Sequence, residues 1–210
     1  MGDLIAAFRA AARAGLTGAG WRKSAGDVYF LDLGGGFQAW VGLNKASRHH
    51  PLKINPVVGL RYDPLERLVT DLLGQPPGRA VTIARPVAYL TPGNTFLQLT
   101  VAAERDAGPA ADELCGLVDA YGLPFARRHA DPDALTGALE AGGNVPNPDR
   151  VRLLLPAMHV LQGRIEDARA SLDLGLAHFQ DTIAGPAAAE FRLFAAALAP
   201  LLADQDPEVR

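Results

Sequence analysis

The chain has 210 residues, of which 49% are hydrophobic and 20% are charged, and its formal net charge at pH 7 is -3. These proportions are typical of a soluble folded protein and exclude an intrinsically disordered chain. The length allows one large domain or two small ones.

The sequence predicts a cytoplasmic protein that is not inserted in a membrane. No apolar run approaches the roughly 20 residues that a membrane-spanning helix needs. The acid Asp3 and the arginines Arg9 and Arg13 interrupt the first residues, which excludes a secretory signal with an unbroken apolar centre. The single Cys115 cannot form an internal disulfide or a cysteine cluster for a metal.

The charges are distributed unevenly along the chain. Residues 1–100 carry 11 Lys and Arg against 6 Asp and Glu, a balance of +5, whereas residues 101–210 carry 9 against 17, a balance of -8. Such a division has two interpretations: the halves face different partners, or they attract one another.

The first elements are a helix and two strands. An apolar stripe at three- and four-residue spacing predicts an amphipathic helix that ends near Gly15. Extended patterns at 27–33 and 37–44 follow, and Gly34, Gly35 and Gly36 separate them. Glycine tolerates the positive φ angles of a tight reversal, so the two runs predict a β-hairpin.

The third extended run, residues 54–62, contains Pro56. Proline cannot donate to a strand ladder, so this run is predicted to be an edge strand or to contain a bulge. Asp63 and Pro64 then predict the N-cap and first position of a helix, whose apolar stripe continues to Gly74.

Strand patterns return at residues 80–90 and 96–101, and the turn-forming sequence TPGN joins them. Beyond residue 106 the strand pattern is lost, and glycine and proline breaks, one of them at Gly122–Pro124, separate helical patterns at 110–121, 131–140, 149–161, 166–179 and 187–203. The fold class predicted is α+β, with an antiparallel sheet subdomain over 1–105 and a helical subdomain over 106–210.

Alternation along the strands predicts the core of the sheet. The residues expected to be buried are Phe30, Trp40, Val41 and Val58, with Tyr29 and Phe37 as further candidates. Because apolar residues occupy both alternating sets in 27–33, both faces of that strand are expected to be covered.

The reactive residue types show no spacing that is typical of a catalytic or metal site. The five histidines lack HxH and HxxxH spacing, and Cys115 lies among apolar residues as a small buried side chain does. The glycines of GLTGAG follow a helix and precede a strand, the reverse of a dinucleotide-binding fingerprint. The sequence therefore predicts no metal and no redox cofactor, and it identifies no catalytic residue.

One stretch, NKASRHHPLKIN at 44–55, concentrates potentially cationic side chains. They are Lys45, Arg48, His49, His50 and Lys53, and Asn44 and Asn55 flank them as neutral contacts. One interpretation is a solvated connection between strands, and the other is a contact with a phosphate group or an acidic partner surface. Aromatic residues do not interleave with the charges, which argues against a nucleic-acid platform.

Residues 153–179 resemble one helical hairpin of the tetratricopeptide type, with Gly163 between two amphipathic helices and Ala168 as a small residue that allows close approach. Only one copy is visible, and stacked repeats need about three for stability. The hairpin is therefore interpreted as a cap or packing element.

A second resemblance concerns the first 100 residues. The motif residues Gly20, Trp21, Arg22, Lys23, Tyr29 and Phe30 are similar to those of an uncharacterised bacterial α+β domain. Some relatives of that domain look like immunity or toxin-neutralising proteins, and no residue role transfers from them. The resemblance implies a non-enzymatic interaction protein of the bacterial cytoplasm whose partner is another protein. The alternative is an enzyme or small-molecule binder whose anionic ligand contacts the cluster at 45–53.

Overall fold

The computed structural model describes residues 2–45, 50–76, 78–142, 144–145, 147–180 and 185–203. They form the predicted α+β fold, with an antiparallel sheet in the N-terminal half and most of the helices in the C-terminal half. The chain divides into two compact units, each built from two segments. Unit 1 comprises residues 1–61 and 84–130, and unit 2 comprises residues 62–83 and 131–210. The predicted boundary near residue 105, between a sheet subdomain and a helical subdomain, stays a prediction.

Six strands make up the sheet. They are β1 (Arg22–Lys23), β2 (Val28–Gly34), β3 (Phe37–Lys45), β4 (Leu52–Tyr62), β5 (Ile83–Pro86) and β6 (Leu99–Val101). The order is β1-β2-β3-β4-β5, and β6 also pairs with β4. The glycine turn between β2 and β3 is confirmed, because Gly34, Gly35 and Gly36 all have positive φ angles.

One helix precedes the strands, and the others lie between and after them. They are α1 (Gly2–Gly18), α2 (Asp63–Leu72), α3 (Ala107–Leu117), α4 (Leu123–Arg128), α5 (Pro132–Glu140), α6 (Pro148–Leu161), α7 (Ile165–His178) and α8 (Pro186–Ala203). α1, α3 and α4 belong to unit 1, and the others belong to unit 2. The helix predicted to end near Gly15 continues to Gly18, and α2 begins at Asp63 itself, with Tyr62 at the N-cap position.

The prediction that residues 54–62 form an edge strand is wrong. β4 pairs with β3 on one side and with β5 and β6 on the other. Its register with β6 covers only Leu52 to Ile54, so Pro56 lies beyond that ladder. A proline is tolerated inside a sheet at a position where the ladder requires no backbone N–H donor.

Two further predictions from glycine, proline and strand patterns need correction. The run 80–90 is extended only at Ile83–Pro86 and then forms a 3-10 turn at Val87–Leu90. The break predicted at Gly122–Pro124 is absent, because a π-helical turn at Val118–Gly122 joins α3 to α4. Gly122 is needed there for packing, since a Cβ atom on it would lie 2.7 Å from Val58 Cγ1.

The core prediction for the sheet is correct for one face and wrong for the other. Tyr29, Phe37, Val41 and Val58 are buried, on the face against which Gly122 packs. Phe30 and Trp40 are only half-buried. They lie opposite each other in the β2–β3 register, on the other face, and the Trp40 ring covers Gly42.

In unit 2, a buried carboxylate connects α2 to α6. Glu66 is 1% exposed and accepts a hydrogen bond from Thr82 Oγ1 at 2.9 Å and another from Arg150 Nη2. Thr82 Oγ1 in turn accepts the backbone N–H of Tyr62 at 3.0 Å. Both carboxylate oxygens of Glu66 therefore have a partner, which is the condition under which a carboxylate is tolerated in a core.

The predicted helical hairpin is present as α6 and α7. Gly163, with φ of +70°, ends the first helix, and Gly175 allows α8 to approach α7, since a Cβ atom there would lie 2.2 Å from Phe191 Cζ. In the described part of the chain, α8 alone has the length and apolar composition of a membrane span. One face of α8 is buried, as the face of a core helix is: Ala188, Phe191, Phe194, Ala195, Leu198 and Leu202.

Substitutions on the two faces of the sheet should differ in cost. Tyr29→Ala removes a fully buried ring and should lower the free energy of unfolding by about 3–5 kcal/mol. Trp40→Ala removes a half-buried ring and should cost about 1–2 kcal/mol. Urea denaturation measures both, and a larger loss for Trp40→Ala would contradict the assignment of faces.

Removing Arg150 should destabilise the protein strongly, because the Glu66 carboxylate would stay buried without its charge partner. Arg150→Ala should cost about 3–5 kcal/mol in chemical denaturation. Arg105→Ala is the control: it breaks an exposed pair with Asp106 and should cost less than about 1 kcal/mol. Similar losses in the two variants would show that the buried pair contributes no more than a surface pair.

Candidate functional site

The predicted cationic cluster lies where β3 ends and β4 begins. Lys45 is the last residue of β3 and is exposed, and His50 is exposed just before β4. Arg48 and His49 lie outside the described residues. We call this end of the sheet the β3–β4 tip, defined by the described residues Asn44, Lys45 and His50.

Lys45 borders a shallow apolar cleft. The other walls come from α1 and the two strands: Ile5, Phe8, Arg9, Asp27, Leu43, Leu52 and Ile54. The volume of the cleft is about 20 Å³, which is enough for about one water molecule. A surface of this form can receive part of a side chain, but it does not enclose a metabolite-sized ligand.

An ion pair closes one side of this cleft. Arg9 of α1 donates from Nε to Asp27 Oδ1 at 2.7 Å and from Nη2 to Oδ2. The hydrogen bond to Asp27 raises the pKa of Arg9 above its ordinary value, although burial opposes the shift. Both oxygens of Asp27 are therefore engaged by a cation, whereas Lys45 has no ion-pair partner among the described residues. Lys45 is therefore the cation of the cleft lining that is left to contact a partner.

The strands do not bring the predicted site residues together. Leu52 and Ile54 point into the cleft, so the alternating residues Lys53 and Asn55 lie on the opposite face of β4. Lys53 is opposite Thr100 of β6, and Asn55 accepts a hydrogen bond from Gln98 Nε2 at 2.9 Å. The cluster that looks continuous in sequence is therefore split between two faces of the sheet.

Arg22 and Lys23, the other basic residues of the first strands, lie away from this cluster. β1 pairs with β2, which places Lys23 opposite Tyr29, and Tyr29 lies opposite Val41 of β3. Lys23 is thus separated from β3 by the whole of β2. Along the strand direction it is aligned with Val41, four residues before Lys45. Trp21 is buried beside a different cleft of unit 1.

Sequence reasoning missed Arg9 and Asp27, and no local signal could have found them. They are separated by 18 residues and belong to a helix and to the turn before β2. The contact depends on how α1 packs on the sheet.

His129, His159, His178 and Cys115 lie apart from the tip. His129 Nδ1 is 2.9 Å from the Phe125 carbonyl oxygen, and His178 Nε2 is 3.9 Å from Asp149 Oδ1. Within the described ranges, no group of three or more His, Cys, Asp or Glu residues is placed to hold a metal ion. Burial raises the pKa of the Cys115 thiol, and nearby Asp112 raises it further. That shift reduces the thiolate fraction at neutral pH.

Comparison with known proteins gives no match. No family model fits the chain, and no curated protein or solved structure is significantly similar to it. The resemblance of residues 1–100 to an immunity-type domain stays a prediction.

His159 should make stability depend on pH. Its ring is 3% exposed, and burial lowers its pKa, with Arg164 lowering it further against smaller opposing effects of Asp167 and Glu140. At pH 7.5 the ring is neutral in both states. As the pH falls below about 6.5, the unfolded chain takes up the proton first, so the free energy of unfolding decreases by up to about 1.4 kcal/mol per pH unit.

The test is denaturation at several pH values between 7.5 and 5. His159→Leu should remove the part of the decrease in stability that His159 causes. An identical pH profile for wild type and His159→Leu would show that His159 makes no such contribution.

Proposed function

We propose that the protein is a non-enzymatic binding module, that its partner is another protein with an acidic surface, and that the β3–β4 tip is its contact. A neutralising role of the immunity or antitoxin type, in the bacterial cytoplasm, is the biological setting that the sequence resemblance implies. The observation that carries the proposal is the exposed Lys45, unpaired within the described residues, beside an apolar cleft too small for a metabolite.

The charge of unit 1 supports an acidic partner. Unit 1 carries 12 Lys and Arg against 8 Asp and Glu, a balance of +4, and unit 2 carries 8 against 15, a balance of -7. The two balances sum to the net charge of -3. A positive field around unit 1 would steer an acidic surface toward the tip and speed association.

The chemistry of the tip supports binding over catalysis. A general base needs a free acceptor within reach of a substrate, but both oxygens of Asp27 accept from Arg9. Lys45 and an apolar floor can bind an acidic residue that neighbours an apolar one. The alternative, an enzyme or a small-molecule binder with an anionic ligand, calls for a deeper cavity than the described part of the tip offers.

Charge reversal at one lysine tests the proposal. Partners are captured from extracts of the native host, identified by mass spectrometry, and titrated with purified variants. Lys45→Glu should weaken the binding of the identified partner by about fivefold to tenfold, because one exposed attraction becomes a repulsion. Lys23→Glu is the matched control, since Lys23 is an equally exposed strand lysine away from the tip.

The same titration locates the contact more closely. Lys53→Glu reverses a charge on the other face of β4, so a loss confined to Lys45→Glu places the partner on the cleft side. Added salt should weaken wild-type binding more than that of Lys45→Glu. Equal affinities of wild type and Lys45→Glu at both salt concentrations would disprove the proposed contact.

A further inference from the structure

Unit 1 contains a second, larger cleft that the proposed function does not use. The volume of this cleft is about 320 Å³, within the range of about 300–1,000 Å³ that is typical of small-molecule sites. The apolar walls come from the end of α1, from β2 and from the π-helical turn: Leu16, Trp21, Leu31, Val118 and Leu123. All of these residues belong to unit 1.

The cleft exists because small residues occupy the positions next to a close helix contact. α1 and α3 touch at Gly15, where a Cβ atom would lie 2.7 Å from Cys115 Sγ. Two further lining residues, Ala19 just after α1 and Gly116 in α3, contribute little side-chain volume. A Cβ atom on Gly116 would have no neighbour within 4 Å, so the space is open at that point.

The π-helical turn at Val118–Gly122 supplies the other wall of the cleft. Its first two residues, Val118 and Asp119, both line the space. Single π-helical turns inside α-helices are rare and recur at functional sites. Here the turn brings one carboxylate to an otherwise apolar cleft.

The cleft has two ionisable lining side chains, Asp119 and Cys115, and one of them carries a negative charge. Asp119 is exposed, and within the described part of the chain no cation pairs with it. Cys115 is the other lining side chain with a polar atom that can ionise, and burial favours its neutral thiol. The cleft therefore combines apolar walls with a single negative charge at one side.

We propose that this cleft binds an apolar small molecule that carries one cationic group, with the cationic group paired to Asp119. The walls, Trp21 among them, would contact the hydrocarbon part. The inference is independent of the proposed function, because it concerns different residues and a different ligand.

Three probes with one carbon skeleton and different head groups test the charge preference. They are 4-phenylbutylamine, 4-phenylbutan-1-ol and 4-phenylbutyrate, which are cationic, neutral and anionic at pH 7.5. Binding is followed by the fluorescence of Trp21 in a Trp40→Phe background, since these are the two tryptophans of the chain. The amine should bind about threefold to fivefold more tightly than the alcohol, and the acid should bind most weakly.

Two pairs of variants locate the binding. Asp119→Asn should abolish the preference for the amine. Asp112→Asn, one turn before Cys115 and outside the lining, should keep that preference.

Gly116→Leu should weaken the binding of every probe at least tenfold, because the leucine side chain fills the cleft. Gly137→Leu in α5 is the control, because its Cβ position is also open but lies outside the cleft. Both glycine substitutions favour helix formation, so loss of folding is not expected.

Alkylation of Cys115 by iodoacetamide gives a second readout. Cys115 is the single thiol of the chain and lines the cleft, so saturating amine should slow its alkylation in wild type and not in Gly116→Leu. The proposal is overturned if none of the probes binds wild type up to its solubility limit. It is also overturned if binding persists in Gly116→Leu, or if the three head groups bind equally.

Discussion

The alternation of side chains along the β3–β4 hairpin is the constraint on which the organisation of unit 1 depends. Leu43, Leu52 and Ile54 face α1 and build an apolar cleft, and this placement leaves Lys53 and Asn55 on the opposite face. The burial of Tyr29 and the partial exposure of Trp40 follow from the same two-residue period. A shift of one residue in register would exchange the faces, so the cleft, the core and the exposed cation are specified together.

Unit 2 is held by a different kind of interaction. The Glu66 carboxylate is buried and satisfied by Thr82 and Arg150, so three segments that are distant in sequence converge on one charge. Such a network contributes little net stability compared with apolar packing, but breaking it is costly because the remaining charge stays buried. We interpret the network as a device that fixes the position of α2 against α6.

Two surfaces of unit 1 have opposite chemistry. The β3–β4 tip presents Lys45 beside a cleft with room for about one water molecule, and we propose it as the contact for an acidic protein surface. The cleft between α1, β2 and the π-helical turn is larger and apolar, and its charge is that of Asp119. The two proposed contacts do not compete for the same residues, because different residues of unit 1 line the two surfaces.

The sequence by itself determined the α+β class, the glycine reversal after β2, the position of most helices and the cationic character of residues 45–53, because these depend on local periodicity, turn chemistry and charge. Tertiary structure decided the rest. Pro56 lies in a central strand, Gly122 lies inside a continuous helix, and Arg9 reaches Asp27, because packing between distant segments overrides local preference. The cluster was split for the same reason: a linear run of charges does not define a site until the pairing of strands assigns each side chain to a face.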